Sequence, residues 1–169
     1  MAWSNSKIFQ QAMLNPIANG AVQTTGFPTT YHGLKYDAIY AALFLTGATP
    51  DNTVSLANSL YTAGVWTTGN EAAVSGNYSA GGTQLLSPTF SIDSGSSSFV
   101  FNAANPAWTS ATIASVFGCL VYNNTTTGSY AKQGYCYNYF GGTQSVTSGT
   151  FTIIWATVGA TTAVFNITV

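Results

Sequence analysis

One histidine and four carboxylates leave this chain little material for acid–base chemistry. His32 lies in a stretch rich in Gly, Thr and Pro, and Asp37 is its nearest acid. A general base needs a nucleophile or an acid within hydrogen-bond reach. No motif ties His32 to one. Glycoside hydrolysis needs two carboxylates at a fixed separation. Of Asp37, Asp51, Glu71 and Asp93, two have structural duties by position. Asp51 follows Thr49-Pro50 at a helix start, and Asp93 opens a turn with Ser94-Gly95. The expectation is a chain that is not an enzyme and has no catalytic residue.

Metal and cofactor chemistry is equally thin. Two Cys, one His and scattered Asp lack the spacing of a ligand set. The pairs Gly81-Gly82 and Gly141-Gly142 are not followed by the Gly-Lys-Ser/Thr of a phosphate loop. They predict tight turns at positive φ. No metal and no cofactor is expected. Cys119 and Cys136 flank a turn centred on Thr127-Gly128, and symmetric pairing about it would set them face to face. Without a secretory signal they are expected as buried, reduced thiols.

Aromatic side chains carry the remaining signal. Tyr135, Tyr137 and Tyr139 alternate around Asn138 and form a ladder on one strand face. Such a ladder stacks a sugar or a base, or more commonly fills a core or a protein interface. At the N-terminus, Trp3, Ile8, Phe9 and Met13 are large apolar residues where chain ends are usually loose and polar. These seven residues are the candidate interface. The arm is expected to reach another chain rather than to pack on its own domain, leaving that domain folded when residues 1–18 are removed.

The surface that carries them is nearly uncharged. Three Lys, no Arg and four acids make up 4% of the residues, against about 25% in an ordinary domain. Polarity comes from Ser, Thr, Asn and Gln, with Ser and Thr roughly a quarter of the chain. Little Coulomb repulsion keeps copies apart. The absence of a basic patch excludes nucleic acid as the expected partner. No apolar run approaches the roughly 20 residues of a membrane-crossing helix, so no membrane partner is expected. The start Met1-Ala2-Trp3-Ser4-Asn5-Ser6-Lys7 is not a basic, then apolar, leader, which predicts a chain made in the cytoplasm that stays there or leaves by some other route. The N-x-Ser/Thr matches at Asn77, Asn123, Asn124 and Asn166 are expected from chance in a Thr-rich chain.

The elements follow from punctuation. Ser6 caps a predicted short helix through Leu14, ended by Pro16. Residues 19–33 read as a linker. Residues 36–45 have strand composition, with helix as the rival reading because Ala and Leu are frequent. Thr49-Pro50-Asp51 starts one short inserted helix, with Gly64 as its C-cap. Beyond it, candidate strands at 72–75, 83–86, 89–92, 98–102, 112–122, 131–140, 151–157 and 163–169 alternate with Gly-rich turns, among them Gly76-Asn77, Ser148-Gly149 and Gly159. The expected architecture is an all-β, sandwich or barrel-like domain over residues 36–169, preceded by an arm and linker over 1–35.

Four collinear segments then carry a resemblance. They are Met1-Ala2-Trp3-Ser4-Asn5-Ser6-Lys7; residues 49–66 with Gly69-Asn70-Glu71; Gly76-Asn77-Tyr78-Ser79-Ala80-Gly81-Gly82 with Leu85; and Tyr139-Phe140-Gly141-Gly142 with residues 145–155. On these the chain resembles a family of small structural proteins of tailed bacteriophages, of the capsid decoration, cement or head-fibre type. Asn102 and Asn138 stand where the family's strand ends are usually acidic, and residues 19–35 are longer and richer in Thr and Pro. The resemblance implies a virion protein that binds and reinforces the major capsid lattice or other virion proteins, as a homo-oligomer with a trimer favoured. Its alternatives are a tail or fibre component that binds host glycans through the tyrosine ladder and, remotely, a cell-wall hydrolase. The resemblance brings no catalytic residue.

Overall fold

Two long antiparallel strands organise the chain. The computed structural model describes residues 3, 5–10, 12, 37–124, 132–158 and 161–168. Met13, His32, the linker at 19–33 and the turns at Thr127-Gly128 and Gly159 lie outside the described residues. In chain order the elements are β1 (Lys7–Ile8), β2 (Ile39–Leu45), α1 (Leu56–Ser59), β3 (Thr83–Gln84), β4 (Thr89–Asp93), β5 (Ser98–Asn102), β6 (Ala107–Asn123), β7 (Gly134–Thr152), β8 (Ala156–Val158), β9 (Thr161–Ala163) and β10 (Phe165–Thr168). A five-stranded sheet runs β1-β7-β6-β2-β3, a three-stranded sheet runs β10-β5-β4, and β8 and β9 form a ribbon. All named pairings are antiparallel. The all-β, sandwich-like class read from the sequence is the observed one.

β6 and β7 run past the predicted ends because bulges keep them in phase with the core. Trp108, Ala111, Ile113 and Val116 are all buried, a spacing of three, two and three rather than a strict two. The extra residues are Ser110 and Ser115, both at positive φ, and the β6–β7 register shifts at each. A bulge inserts one residue and returns the following side chain to the same face. Ser148 does the same on β7, between the pairs Ile113↔Val146 and Ala111↔Gly149. Thus Ser148-Gly149, expected as a turn, is a bulge within a continuous strand. Gly141-Gly142 is also inside β7, within the residues by which β7 outruns β6 between Gly118↔Tyr139 and Val116↔Gln144.

The predicted helices are the main local corrections. Ser6 does not cap one: Lys7 and Ile8 are strand and pair with Tyr137 and Cys136 of β7. Among the described residues of the arm, helical backbone is found at Gln10 and Ala12. The inserted helix is shorter than expected, spanning Leu56–Ser59 with Ser55, not Thr49, at its N-cap. Asp51 is not in a first turn. Its Oδ1 accepts from the Thr53 amide at 2.8 Å and the Thr53 hydroxyl at 2.7 Å, a local turn that competes with helix. Gly64 does not cap α1 either, since Leu60 already has extended backbone after it. The segment 72–75 holds one isolated bridge, Ser75↔Tyr78, rather than a strand.

Candidate functional site

Apart from Met13, which lies outside the described residues, the predicted interface residues do meet, but inside the chain. β1 hydrogen-bonds to the edge of β7, and the Phe9 amide donates to the Tyr135 carbonyl at 2.9 Å. This lays Trp3 and Phe9 over the face that Tyr137 presents. Trp3 crosses Tyr137 edge-on at 5.9 Å and stacks on Tyr139 at 6.5 Å. Phe9 meets Tyr137 at 5.6 Å. Both contact Trp66, which also receives Phe44 at 5.0 Å. The Trp3 indole Nε1 donates to the Leu45 carbonyl at 3.0 Å. Gly118 makes the slot possible: a Cβ there would stand 2.4 Å from the Trp3 ring.

Trp3 is 5% exposed, and Phe9, Tyr135 and Tyr137 are buried with it. Ile8 and Tyr139 are partly buried against the same cluster. The expectation that this arm reaches another chain is therefore corrected for Trp3 and Phe9. The physical reason is that β7 offers an unpaired edge and a glycine-lined slot within reach of the chain's own terminus. The arm is not a unit apart from residues 36–169. The glycan platform is corrected too, because two of its three tyrosine rungs have no open face.

Sequence reading missed a second cluster, built around Glu71. The Leu45 amide donates to the Asn70 carbonyl and the Ala72 amide to the Leu43 carbonyl, so residues 70–72 run beside β2. That pairing carries Glu71 under the loop that follows. Its Oε2 accepts from the Tyr61 hydroxyl at 2.8 Å. Its Oε1 accepts from the Tyr78 hydroxyl at 2.8 Å and the Gly81 amide at 2.6 Å. Tyr122 stacks on Tyr61 at 4.5 Å and donates to the Gly81 carbonyl at 3.0 Å. Gly81 and Gly82 both have positive φ, and a Cβ on Gly82 would fall 1.8 Å from the Ala41 carbonyl oxygen. The turn predicted for this pair exists, and only glycine fits it.

Glu71 is 5% exposed, so the cluster is closed to substrates. A carboxylate that accepts these three donors fastens the loop to the sheet. No spacing rule announces it, since Tyr61 and Tyr78 reach Glu71 by loop closure rather than by periodicity. The one cue was the rarity of a Glu in a chain almost devoid of charge.

The tyrosines make a pH prediction. Burial, reinforced by the Glu71 carboxylate, pushes the Tyr61 and Tyr78 hydroxyls well above the usual tyrosine range. Burial, then Tyr61 and Glu71, does the same to Tyr122. Burial and the Asp51 charge raise Tyr137 to about 12. Cys119 is raised by burial to about 12, and Cys136 is raised by burial and by Cys119 beside it. A group whose folded pKa is raised supports the fold fully below its unfolded pKa and loses that support as pH climbs through the folded value. Unfolded thiols and tyrosines ionise near about 8.5 and 10. The melting temperature should hold from pH 6 to 8, ease downward above about 8.5 and fall steeply above about 10. Absorbance at 295 nm should show phenolate appearing together with unfolding. A melting temperature still level at pH 11.5 would refute this.

The other expected residues are placed plainly. Cys119 pairs with Asn138 and Cys136 with Val121, so the two thiols are diagonal rather than face to face. Both are free and buried, as expected. The symmetric register fails because the residue opposite Cys119 lies two positions further along β7. Asp37 accepts from Asn123 Nδ2 at 2.7 Å. Asp93 Oδ1 accepts from the Gly95 amide, as its turn predicted. Asp51 also lines an open groove of about 310 Å³ with Thr49, Val54, Asn58, Val65 and Trp66. Thr53 holds its carboxyl below the usual range. The groove lining includes no partner carboxylate, His or Cys.

Among the described residues there is no group of three His, Cys, Asp or Glu placed to hold a metal ion. Among the same residues, no helix is long and apolar enough to cross a membrane. Compared with protein-family models, curated proteins and solved structures, the chain matches none.

Proposed function

We propose that this chain is a structural component of a tailed-phage virion that binds and reinforces the major capsid lattice. The observation that carries the reading is the character of the surface. With 4% charged residues, the fold still leaves Val74, Leu86, Phe90, Ile92 and Ile154 at least half exposed. An ordinary soluble surface is kept apart by charge, whereas a surface of hydroxyls, amides and open apolar side chains is suited to permanent contact. The likeness of four collinear segments to phage decoration and cement proteins supports the same reading. Attachment then falls to the exposed sheet and loop residues, because the N-terminal aromatics are spent on the chain's own core.

Mixing the purified chain with phage heads that lack it, then sedimenting, tests the proposal. Saturable co-sedimentation with heads and not with tails is the expected result. Binding to tails or fibres alone would favour the tail reading, and binding to neither would overturn both. The tail reading would then need a glycan site other than the buried Tyr135 and Tyr137.

A further inference from the structure

The three-stranded sheet has one face made wholly of apolar residues. Its register aligns Phe90, Phe101 and Phe165 in one row and Ile92, Phe99 and Ile167 in the next. Residues opposite one another on antiparallel strands share a face, so all six point the same way. Phe101 and Phe165 dive into the core. The rows then surface towards β4, where Phe99 is 37%, Phe90 50% and Ile92 73% exposed, with Phe90 and Phe99 stacked at 6.2 Å. Among the described residues β4 is the edge of this sheet and pairs with β5 alone. Thr89, Phe90, Ser91 and Ile92 are all exposed. A flat apolar edge strand is a template for another strand, and proteins that do not use such an edge usually blunt it with Lys, Pro or a cover. Thr-Phe-Ser-Ile-Asp holds no Lys and no Pro.

We propose that β4 is a homotypic docking edge, at which two copies of this chain pair antiparallel about a two-fold axis at Ser91. The sequence of the strand is self-complementary in that register. Ser91 meets Ser91 of the second copy, Phe90 meets Ile92, and Thr89 meets Asp93. Both apolar rows continue across the axis, giving a six-stranded sheet with rows of six apolar side chains. The only charges on the strand stay apart. The two Asp93 residues lie four residues from one another along the seam, about 14 Å at 3.4 Å per residue, beyond the roughly 10 Å screening length at 0.1 M salt. Any register that set Asp93 against Asp93 would oppose like charges directly. The occupant is therefore a second copy, not an unrelated strand.

The area sets the strength. Taking about 200 Å² for a large apolar side chain, Phe90, Ile92 and Phe99 leave roughly 300 Å² open per copy. Edge pairing covers the strand backbones and only the flanks of Phe90 and Ile92, so the seam buries far less than the roughly 1,200 Å² of a standard stable complex. The free dimer is thus weak and reversible. This goes beyond the capsid reading and does not depend on it.

Sedimentation equilibrium of the intact chain from 5 to 200 µM tests the pairing, with Ile92→Lys and two cysteine variants alongside. The expected result is a monomer–dimer equilibrium that Ile92→Lys weakens at least tenfold without moving the melting temperature. Ser91→Cys should form an intermolecular disulfide readily, because residues opposite one another at a two-fold have Cα atoms about 4.5–5.5 Å apart. Thr67→Cys, exposed elsewhere, should not, and the native thiols are buried. A chain that stays monomeric at 200 µM would overturn the proposal. So would a dimer or trimer unaffected by Ile92→Lys, or Ser91→Cys linking no faster than Thr67→Cys. Head binding by a variant that no longer dimerises would leave the capsid reading standing alone.

Discussion

Removing residues 1–12 should unfold the chain rather than merely detach it from a partner. The segment supplies Trp3, Phe9 and Ala12 to the core and the β1 edge to the five-stranded sheet. Truncating one buried Phe or Trp to Ala costs about 3–5 kcal/mol. Losing both, with the β1 hydrogen bonds, removes about 6–10 kcal/mol, comparable to the 5–15 kcal/mol that holds a typical domain together. The truncated chain should aggregate on expression or show no cooperative melt. Phe9→Ala alone should lower the melting temperature by roughly 6–20 °C, at 2–4 °C per kcal/mol for a domain of this size. Gly118→Ala, which drives a methyl towards the Trp3 ring, should destabilise the full chain. Combined with Trp3→Ala it should remain destabilising, because the added Cβ also falls 2.3 Å from the Asn138 carbonyl oxygen. A truncated chain that melts cooperatively within a few degrees of the intact one would show that the N-terminal contacts carry no stability.

Glu71 should be the most sensitive polar position. Glu71→Ala leaves the Tyr61 hydroxyl and the Gly81 amide without their acceptor, and leaves the Tyr78 hydroxyl only the Leu43 carbonyl at 3.5 Å. Each unsatisfied buried donor costs about 1–3 kcal/mol, so the three together are expected to cost about 4 kcal/mol or more, a fall of at least roughly 8 °C. Glu71→Gln keeps one acceptor oxygen but turns an NH₂ towards a donor, and should fall between wild type and Ala. Tyr61→Phe and Tyr78→Phe each remove one donor and should be milder than Glu71→Ala. Because the three partners act as a unit, Glu71→Ala/Tyr78→Phe should be less destabilised than the sum of the single changes. Additive losses in thermal melts would mean that the cluster is not a coupled network.

The sequence by itself determined the class of fold and most strand positions. Gly-rich punctuation between short runs of β-branched and aromatic residues is local, and β5 falls where its alternation put it. The Gly81-Gly82 turn was legible for the same reason, since a positive φ is a property of the residue. The near absence of charge was legible from composition, and so was the dearth of acid–base partners. What the sequence could not determine is anything set by long-range closure. Bulges at Ser110, Ser115 and Ser148 turn broken runs into continuous strands, because an inserted residue is tolerated once the partner strand fixes the register. A register shift of one residue between Val121 and Tyr122 helps set Cys119 diagonal to Cys136. Local signals placed a helix at Ser6, yet the free edge of β7 drew Lys7 and Ile8 into strand, since pairing and burial outweigh the weak propensity of a short helix. The role of Trp3 and Phe9 followed from that edge and from the slot over Gly118. Glu71 gained its three donors only when residues 70–72 paired beside β2. Apolar residues declare that they will be buried; only the tertiary structure decided against what, because the choice between a chain's own sheet and another's depends on which edges and slots the fold leaves open.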